Sequence, residues 1–279
     1  MLNNLTFGFV GGGNLATALI GGLIARGVPA GAIRVADPYA PARERLAQDH
    51  RVQTVAEPDA ALAGCDVVVM ATKPQQFREA CEQLLPHLRS TGARALIVSV
   101  AAGIRLADMQ RWLDGHERVV RSMPNTPALT GMGMTGMTAP ARLSAQDRAI
   151  ATSLAEAVGK CLWFDNDAQM DAVTAVSGSG PAYVFFVLEA MERAAAEMGL
   201  TAAQGRELAI ETFRGAATLA ASSSESLATL RERVTSKGGT THAALTVLQE
   251  AKVDDAVVRA LKAAAARGAQ MGEEFGRGS

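Results

Sequence analysis

The chain has 279 residues, is 48% hydrophobic and 20% charged, and carries a formal net charge of −1. That composition belongs to a folded globular protein with room for one large domain or two ordinary ones, and it excludes disordered and fibrous classes. Lys and Arg are scattered among Asp and Glu with no basic stripe, and no apolar run reads as a membrane span, which argues against nucleic-acid and membrane partners.

The first half alternates short β-rich runs with helical periods, the pattern of a parallel sheet joined by crossover helices. Strands are predicted over residues 7–10, 33–36, 67–71, 95–100 and 119–123, several almost wholly apolar, as strands covered on both faces are. Helices are predicted between them over 15–26, 40–48, 75–85 and 105–113. A Met- and Gly-rich strand over 132–137, a helix over 145–158 and a strand over 160–164 follow. Beyond residue 167 strand signals vanish, and Ala-rich helices are predicted over 182–198, 202–221, 226–234, 243–250 and 253–274. In the first of these, Val184, Leu188, Met191, Ala195 and Met198 fall at helical spacing, a stripe that suits either a core or a second subunit. The fold class is α/β: an N-terminal Rossmann-type, doubly wound parallel sheet over 1–165, then an all-α C-terminal domain over 166–279. Cys65, Cys81 and Cys161 are odd in number and lack metal-ligand spacing, which points to a reducing compartment without disulfide frame or zinc site. The start has no basic region before its strand-length apolar run, so the chain reads as cytoplasmic.

After Val10 comes Gly11-Gly12-Gly13-Asn14-Leu15-Ala16, a G-x-G-x-x-A at a strand-to-helix turn. Gly11 permits the tight turn, Gly13 lets a pyrophosphate approach the backbone, and Ala16 lets the helix pack on the strand. The N–H groups that open the helix complete an anion site. Asp37 ends the second strand, where an acidic residue bonds the adenosine ribose and favours NAD; Arg43 and Arg45 just beyond it suit the extra phosphate of NADP or a solvated helix face. Ala71-Thr72-Lys73-Pro74 ends a strand beside the first, where ligands of open α/β sheets collect. Ala101 and the proline-bracketed Asn125 and Thr126 end later strands in the same manner. Ala71, Lys73, Pro74, Ala101 and Asn125 therefore join 11–15 and Asp37 as candidate cofactor contacts.

Two segments of the second half stand out. Ser177-Gly178-Ser179-Gly180-Pro181-Ala182-Tyr183 is a small-residue turn entering a helix. Val234-Thr235-Ser236-Lys237-Gly238-Gly239-Thr240-Thr241 places hydroxyls and a double glycine before an apolar helical run. Glycine at positive φ exposes amides, Thr240 or Thr241 can cap the helix, and its N-terminus attracts a carboxylate; a helix cap with nothing bound is the plain alternative.

Taken together and in this order, Gly-x-Gly-x-x-Ala, Ala-Thr-Lys-Pro-Gln, Met-Pro-Asn-Thr-Pro, Ser-Gly-Ser-Gly-Pro-Ala-Tyr and Val-Thr-Ser-Lys-Gly-Gly-Thr-Thr resemble the pyrroline-5-carboxylate reductases over essentially the whole chain. The resemblance implies hydride transfer from NADPH or NADH to 1-pyrroline-5-carboxylate, a cyclic imine acid, giving L-proline. It implies that Ser236, Gly238, Gly239 and Thr240 hold the substrate carboxylate, through the Ser236 side chain and the amides of Gly239 and Thr240. Thr241 would contact the imine nitrogen as the catalytic residue. It further implies an intertwined homodimer with sites completed across the interface, assembled in some members into larger rings. Two positions depart from the family: Lys237 stands where proline is common, and Asp37 where relatives carry arginine or small residues. The resemblance favours NADPH slightly, whereas Asp37 points to NADH. Two other readings share the architecture: a reductase of a hydroxy acid or another imine acid, for which Lys237 is the visible acid/base, and a dinucleotide-binding regulator without turnover. His242 follows Thr241, but its helical neighbours aim it elsewhere.

Overall fold

Along the central strands, neighbouring residues enter opposite layers. Val67 and Val69 join one apolar core while Val68 and Met70 join the other, and Leu96 and Val98 alternate with Ile97 in the same way. This is the period-two geometry of a sheet buried on both faces. It holds in the computed structural model of the chain, which describes residues 2–92 and 94–277.

The strands are β1 Phe7–Val10, β2 Ile33–Ala36, β3 Gln53–Val55, β4 Val67–Met70, β5 Leu96–Ser99, β6 Val119–Met123, β7 Gly133–Thr138 and β8 Gly159–Trp163. They form one sheet in the order β3-β2-β1-β4-β5-β6-β7-β8. All pairings are parallel except β6 with β7. The helices of this part are α1 Asn14–Ala25, α2 Ala40–His50, α3 Ala60–Ala63, α4 Phe77–Ser90, α5 Leu106–Trp112, α6 Ala145–Glu156 and α7 Gln169–Val173. Leu19, Ile20 and Leu23 of α1, Leu46 of α2 and Ile150 and Leu154 of α6 cover one face; Leu62 of α3, Phe77, Leu84 and Leu88 of α4 and Met109 of α5 cover the other. Chain direction through the order reverses between β1 and β4, which makes their carboxyl ends the topological switch point.

Of the eight strands among the described residues, seven lie where the sequence predicts them, to within about a residue. The exception is β3, a three-residue edge strand too short to leave a hydrophobic period.

The compact unit that holds this sheet comprises Met1–Ser179 and Ala263–Ser279, and so runs past residue 165. The reason is ionic. Arg121 of β6, only 2% exposed, pairs with Asp167 at 2.5 Å and lies 3.8 Å from Asp171; Arg105 binds Asp171 at 2.8 Å. The Leu106 amide also donates to Asp167. Helix α7 is thereby fixed to the sheet layer. A π-helical turn, Thr174–Gly178, continues from it.

The last helix, α12 Val253–Arg277, returns to the same layer from Ala263 onward. Glycines on one of its faces allow this: an added Cβ at Gly272 would meet Arg105 Nε at 2.5 Å, and one at Gly276 would meet Asp108 Oδ2 at 2.7 Å. Phe275 packs against the core that contains Ile104, over the positive-φ Gly103.

The second compact unit, Gly180–Lys262, has helices only: α8 Gly180–Glu197, α9 Ala202–Ser222, α10 Leu227–Arg233, α11 Thr240–Glu250 and the opening of α12 Val253–Arg277. Small residues bring α8 and α9 together, with Gly205 and Ala195 in contact and Ala209 2% exposed. A full capping box, Thr201 with Gln204, starts α9. Among the described residues one helical run, Gln169–Glu197, is long and apolar enough by length and composition to cross a membrane, which corrects the sequence reading that no run qualifies. Its apolarity comes largely from Ala182 and the exposed Val184, Phe185, Phe186 and Val187.

Candidate active site

The turn after β1 is built from three glycines with three different tasks. Gly11 sits at φ 100°, and a side chain there would meet the Ala71 carbonyl oxygen at 2.6 Å. Its amide donates to Ala36 O, and Ala71 N donates to Val10 O, so the turn is laced between β2 and β4. Gly12 directs its N–H onto Asp37 Oδ2 at 2.7 Å. Gly13 caps α1, and an added Cβ there meets nothing within 4 Å. It is the open wall of a cradle, with the free amides of the first turn of α1 behind it. Ala16, fully buried, lets α1 lie close on the sheet.

Beside this turn lies a crevice of about 410 Å³ at the carboxyl ends of the strands. Of the predicted cofactor residues, Gly11, Gly13, Asp37, Ala71 and Lys73 line it. Gly12 acts through Asp37, Asn14 and Leu15 form the start of α1, and Pro74 opens the short 3-10 turn before α4. Ala101 is buried and does not line the crevice. Asn125 is committed to the fold. Its Nδ2 donates to Ser177 O and Oγ, its Oδ1 accepts from Met134 N, and Ser177 Oγ donates to Met134 O. Its side chain thus ties the π-helical turn to β7, a role its strand-end position does not reveal.

The crevice also holds residues that sequence reasoning missed. Tyr39, 66% exposed, offers an aromatic face, and Ala56, Glu57 and Pro58 come from the end of β3, the strand the hydrophobic pattern did not register. The signal available for them was the β-branched Thr54-Val55 ahead of Pro58. Thr72 contributes a wall whose buried Oγ1 has no hydrogen-bond partner. Just beyond, Asp59 caps α3 at the Leu62 amide, and the Arg34 guanidinium holds its carboxyl below the usual carboxylate range. These residues fit a dinucleotide: an open glycine cradle, free helix amides, an acidic strand end and an unsatisfied hydroxyl in one crevice.

The second predicted cluster lies between α10 and α11. Gly238 at φ 73° turns the chain, and Gly239 becomes the N-cap of α11, its carbonyl accepting from Ala243 N. The helix begins at Thr240, earlier than predicted, and no side chain caps it. Thr240 and Thr241 are therefore its first residues rather than its caps. The Gly239 amide, expected to hold a carboxylate, already donates to Ser236 O. The amides of Thr240 and Thr241 remain, since first-turn N–H groups have no intrahelical acceptor. Thr241 is half-buried, Ser236 and Lys237 are exposed, and His242 faces a shallow groove with Arg231, Thr235 and Thr246.

A parallel sheet with a glycine turn at its switch point and an acidic residue ending its second strand defines a Rossmann-type dinucleotide-binding protein. Comparison with known proteins narrows this. Residues 167–271 match the family described as pyrroline-5-carboxylate reductase dimerisation, and residues 6–103 match the one described as NADP oxidoreductase, coenzyme F420-dependent. A pyrroline-5-carboxylate reductase of Pseudomonas aeruginosa is 45% identical over 96% of this chain and 97% of its own. The structure of the corresponding enzyme from Coxiella burnetii, 35% identical, superposes with a TM-score of 0.89 over 96% of this chain and 99% of that one. One from Plasmodium falciparum, solved with NADP bound, shares the fold at 24% identity and a TM-score of 0.85, covering 97% and 99% of the two chains. The chain belongs to the pyrroline-5-carboxylate reductase family and is an NAD(P)H-dependent oxidoreductase acting on an imine. The readings as a hydroxy-acid reductase and as a non-catalytic sensor give way to this one.

Proposed function

We propose that reduction of 1-pyrroline-5-carboxylate to L-proline uses the crevice at residues 11–13 for the cofactor and the turn at 236–241 for the imine acid. The observation that carries this reading is the start of α11, where a positive-φ glycine precedes two free first-turn amides and an added Cβ at Gly239 would meet Ser236 Oγ at 3.0 Å. When bound, the nicotinamide supplies the hydride that adds to the imine carbon. The chain's own part is orientation and charge. Ser236 Oγ and the amides of Thr240 and Thr241 take the carboxylate, aided by the positive end of the helix. Gly238 and Gly239 shape the receptor. The Thr241 hydroxyl hydrogen-bonds the ring nitrogen and holds it in line for protonation; as a poor acid, it orients or relays a proton rather than supplying one. Lys237 adds a positive charge near the carboxylate.

Residues to about 165 form the dinucleotide part in this reading, and the remainder forms the substrate and dimerisation part. The protein acts as a cytoplasmic homodimer. Exposed Val184, Phe185, Phe186 and Val187 on α8 and Leu208 and Leu219 on α9 support a subunit interface, as water-facing apolar surface of this extent is unusual on a monomer. Light scattering on the purified chain tests the dimer. The function itself is tested by following NADPH and NADH oxidation in parallel with the imine present and proline quantified. Stoichiometric proline is the expected product; a folded protein that binds cofactor but forms none would defeat the reading. Thr241→Ala is expected to lower kcat by about 10²-fold with KM little changed, and Thr241→Ser to restore most of it. Steady-state kinetics of both variants decide whether the hydroxyl acts at the imine.

A further inference from the structure

The end of β2 settles how the chain treats the one group that distinguishes NADP from NAD. In Rossmann folds the adenosine ribose lies at this strand end, and its 2′ substituent meets the residue there. That residue is Asp37, in the wall of the crevice with Gly11 and Gly13. Its carboxylate is fixed from both sides. Gly12 N donates to Oδ2 at 2.7 Å and Tyr39 N to Oδ1 at 2.8 Å. Two backbone donors on a short side chain leave it no freedom to swing away from an incoming phosphate. Each oxygen still has acceptor capacity for a ribose hydroxyl.

The surrounding charge has the same sign. Glu57 and Glu79 line the crevice with Asp37, and among the described residues Lys73 is the single cation lining it. Lys73 follows β4, on the opposite side of β1 from Asp37. The arginines that the sequence offers as a phosphate pocket are placed otherwise. Arg43 turns Nη1 onto the Asp37 and Pro38 carbonyl oxygens at 2.8 and 3.0 Å, and neither it nor the exposed Arg45 lines the crevice. A 2′-phosphate would bring close to two negative charges against a fixed carboxylate, with no guanidinium among the lining residues to receive it.

We infer that this chain selects NADH over NADPH, with Asp37 as the specificity-determining residue. The inference rests on the crevice being the dinucleotide site, and it reverses the slight preference for NADPH that the family resemblance implies. Asp37 accepts the ribose hydroxyls of NADH and repels the phosphate of NADPH, while its bonds to Gly12 and Tyr39 hold the glycine turn in shape.

Calorimetry with ADP-ribose and 2′-phospho-ADP-ribose tests this without turnover. The wild-type protein should bind ADP-ribose at least about tenfold more tightly. Asp37→Asn keeps an acceptor for the Gly12 amide and removes the charge; it should bring the two dissociation constants to within about threefold, chiefly by tightening the phosphorylated fragment. In wild type, raising salt from about 0.05 to 0.5 M should narrow the ratio, a readout that needs no variant. Equal or tighter binding of the phosphorylated fragment by wild type would overturn the inference, as would an unchanged ratio in a folded Asp37→Asn. Binding of neither fragment would overturn the assignment of the crevice as well.

Discussion

Two glycines, two positions apart, respond to the same substitution in opposite ways. At Gly11 a methyl group would meet the Ala71 carbonyl, on a backbone at φ 100°, so Gly11→Ala disturbs the turn itself. At Gly13 the backbone is ordinary and the space beyond is open. Gly13→Ala is expected to change stability by less than about 1 kcal/mol. Dinucleotide fragments should nonetheless bind at least about tenfold more weakly, since the methyl occupies the path of the pyrophosphate. Urea melts and calorimetry on the one variant separate these effects. The motif is legible in sequence because each glycine answers a steric demand that nothing larger satisfies. Asn125 is the opposite case. Its strand-end position fits a cofactor contact, and its amide also bonds Ser177 and Met134; amide side chains carry no mark in sequence of which partner they meet.

At the scale of elements, Arg105, Arg121, Asp167 and Asp171 were the hardest feature to read, because charged residues far apart in sequence look like solvated surface. Their pairing, centred on the buried Arg121, fixes α7 and, beyond it, the π-helical turn that carries Ser177. Removing one partner of a buried pair strands the other charge. Asp171→Ala is therefore expected to cost about 3 kcal/mol, whereas Arg89→Ala, which breaks an exposed pair with Asp114, should cost under about 1 kcal/mol. Chemical denaturation of the two variants side by side measures the contrast. Periodicity located seven strands and nearly every long helix, but it says which face of a helix is apolar and not what that face meets. The return of α12 to Gly103 and Ile104 escaped for that reason; β3 escaped because three residues are too few to show a period, and with it went Ala56, Glu57 and Pro58 of the crevice.

For the molecule as a whole, acid is the condition to which these charge pairs respond. The Arg118 guanidinium, bonded to Asp147 through two nitrogens, holds that carboxyl below its usual range, with Ser144 assisting; Arg34 does the same for Asp59. A carboxylate whose folded pKa lies below its unfolded value contributes stability that is complete above the unfolded value, about 3.9 for Asp. That contribution is lost as the pH falls through the lower, folded value. Burial pushes the His116 imidazole below its ordinary range, so its protonation at low pH also favours the unfolded chain. Stability should fall steadily between about pH 5 and pH 2, and Asp147→Asn should flatten that slope while lowering stability at neutral pH. Thermal melts across this window check both signs.

The sheet-bearing unit takes its final piece, from Ala263 onward, after the chain has passed through a separate helical unit. During synthesis all eight strands and the glycine turn leave the ribosome long before Phe275 does. Until then the nascent protein shows an uncovered apolar spot around Gly103 and Ile104, and Arg105 lacks its neighbour at Gly272. A chain interrupted or clipped ahead of α12 would keep that spot open to water.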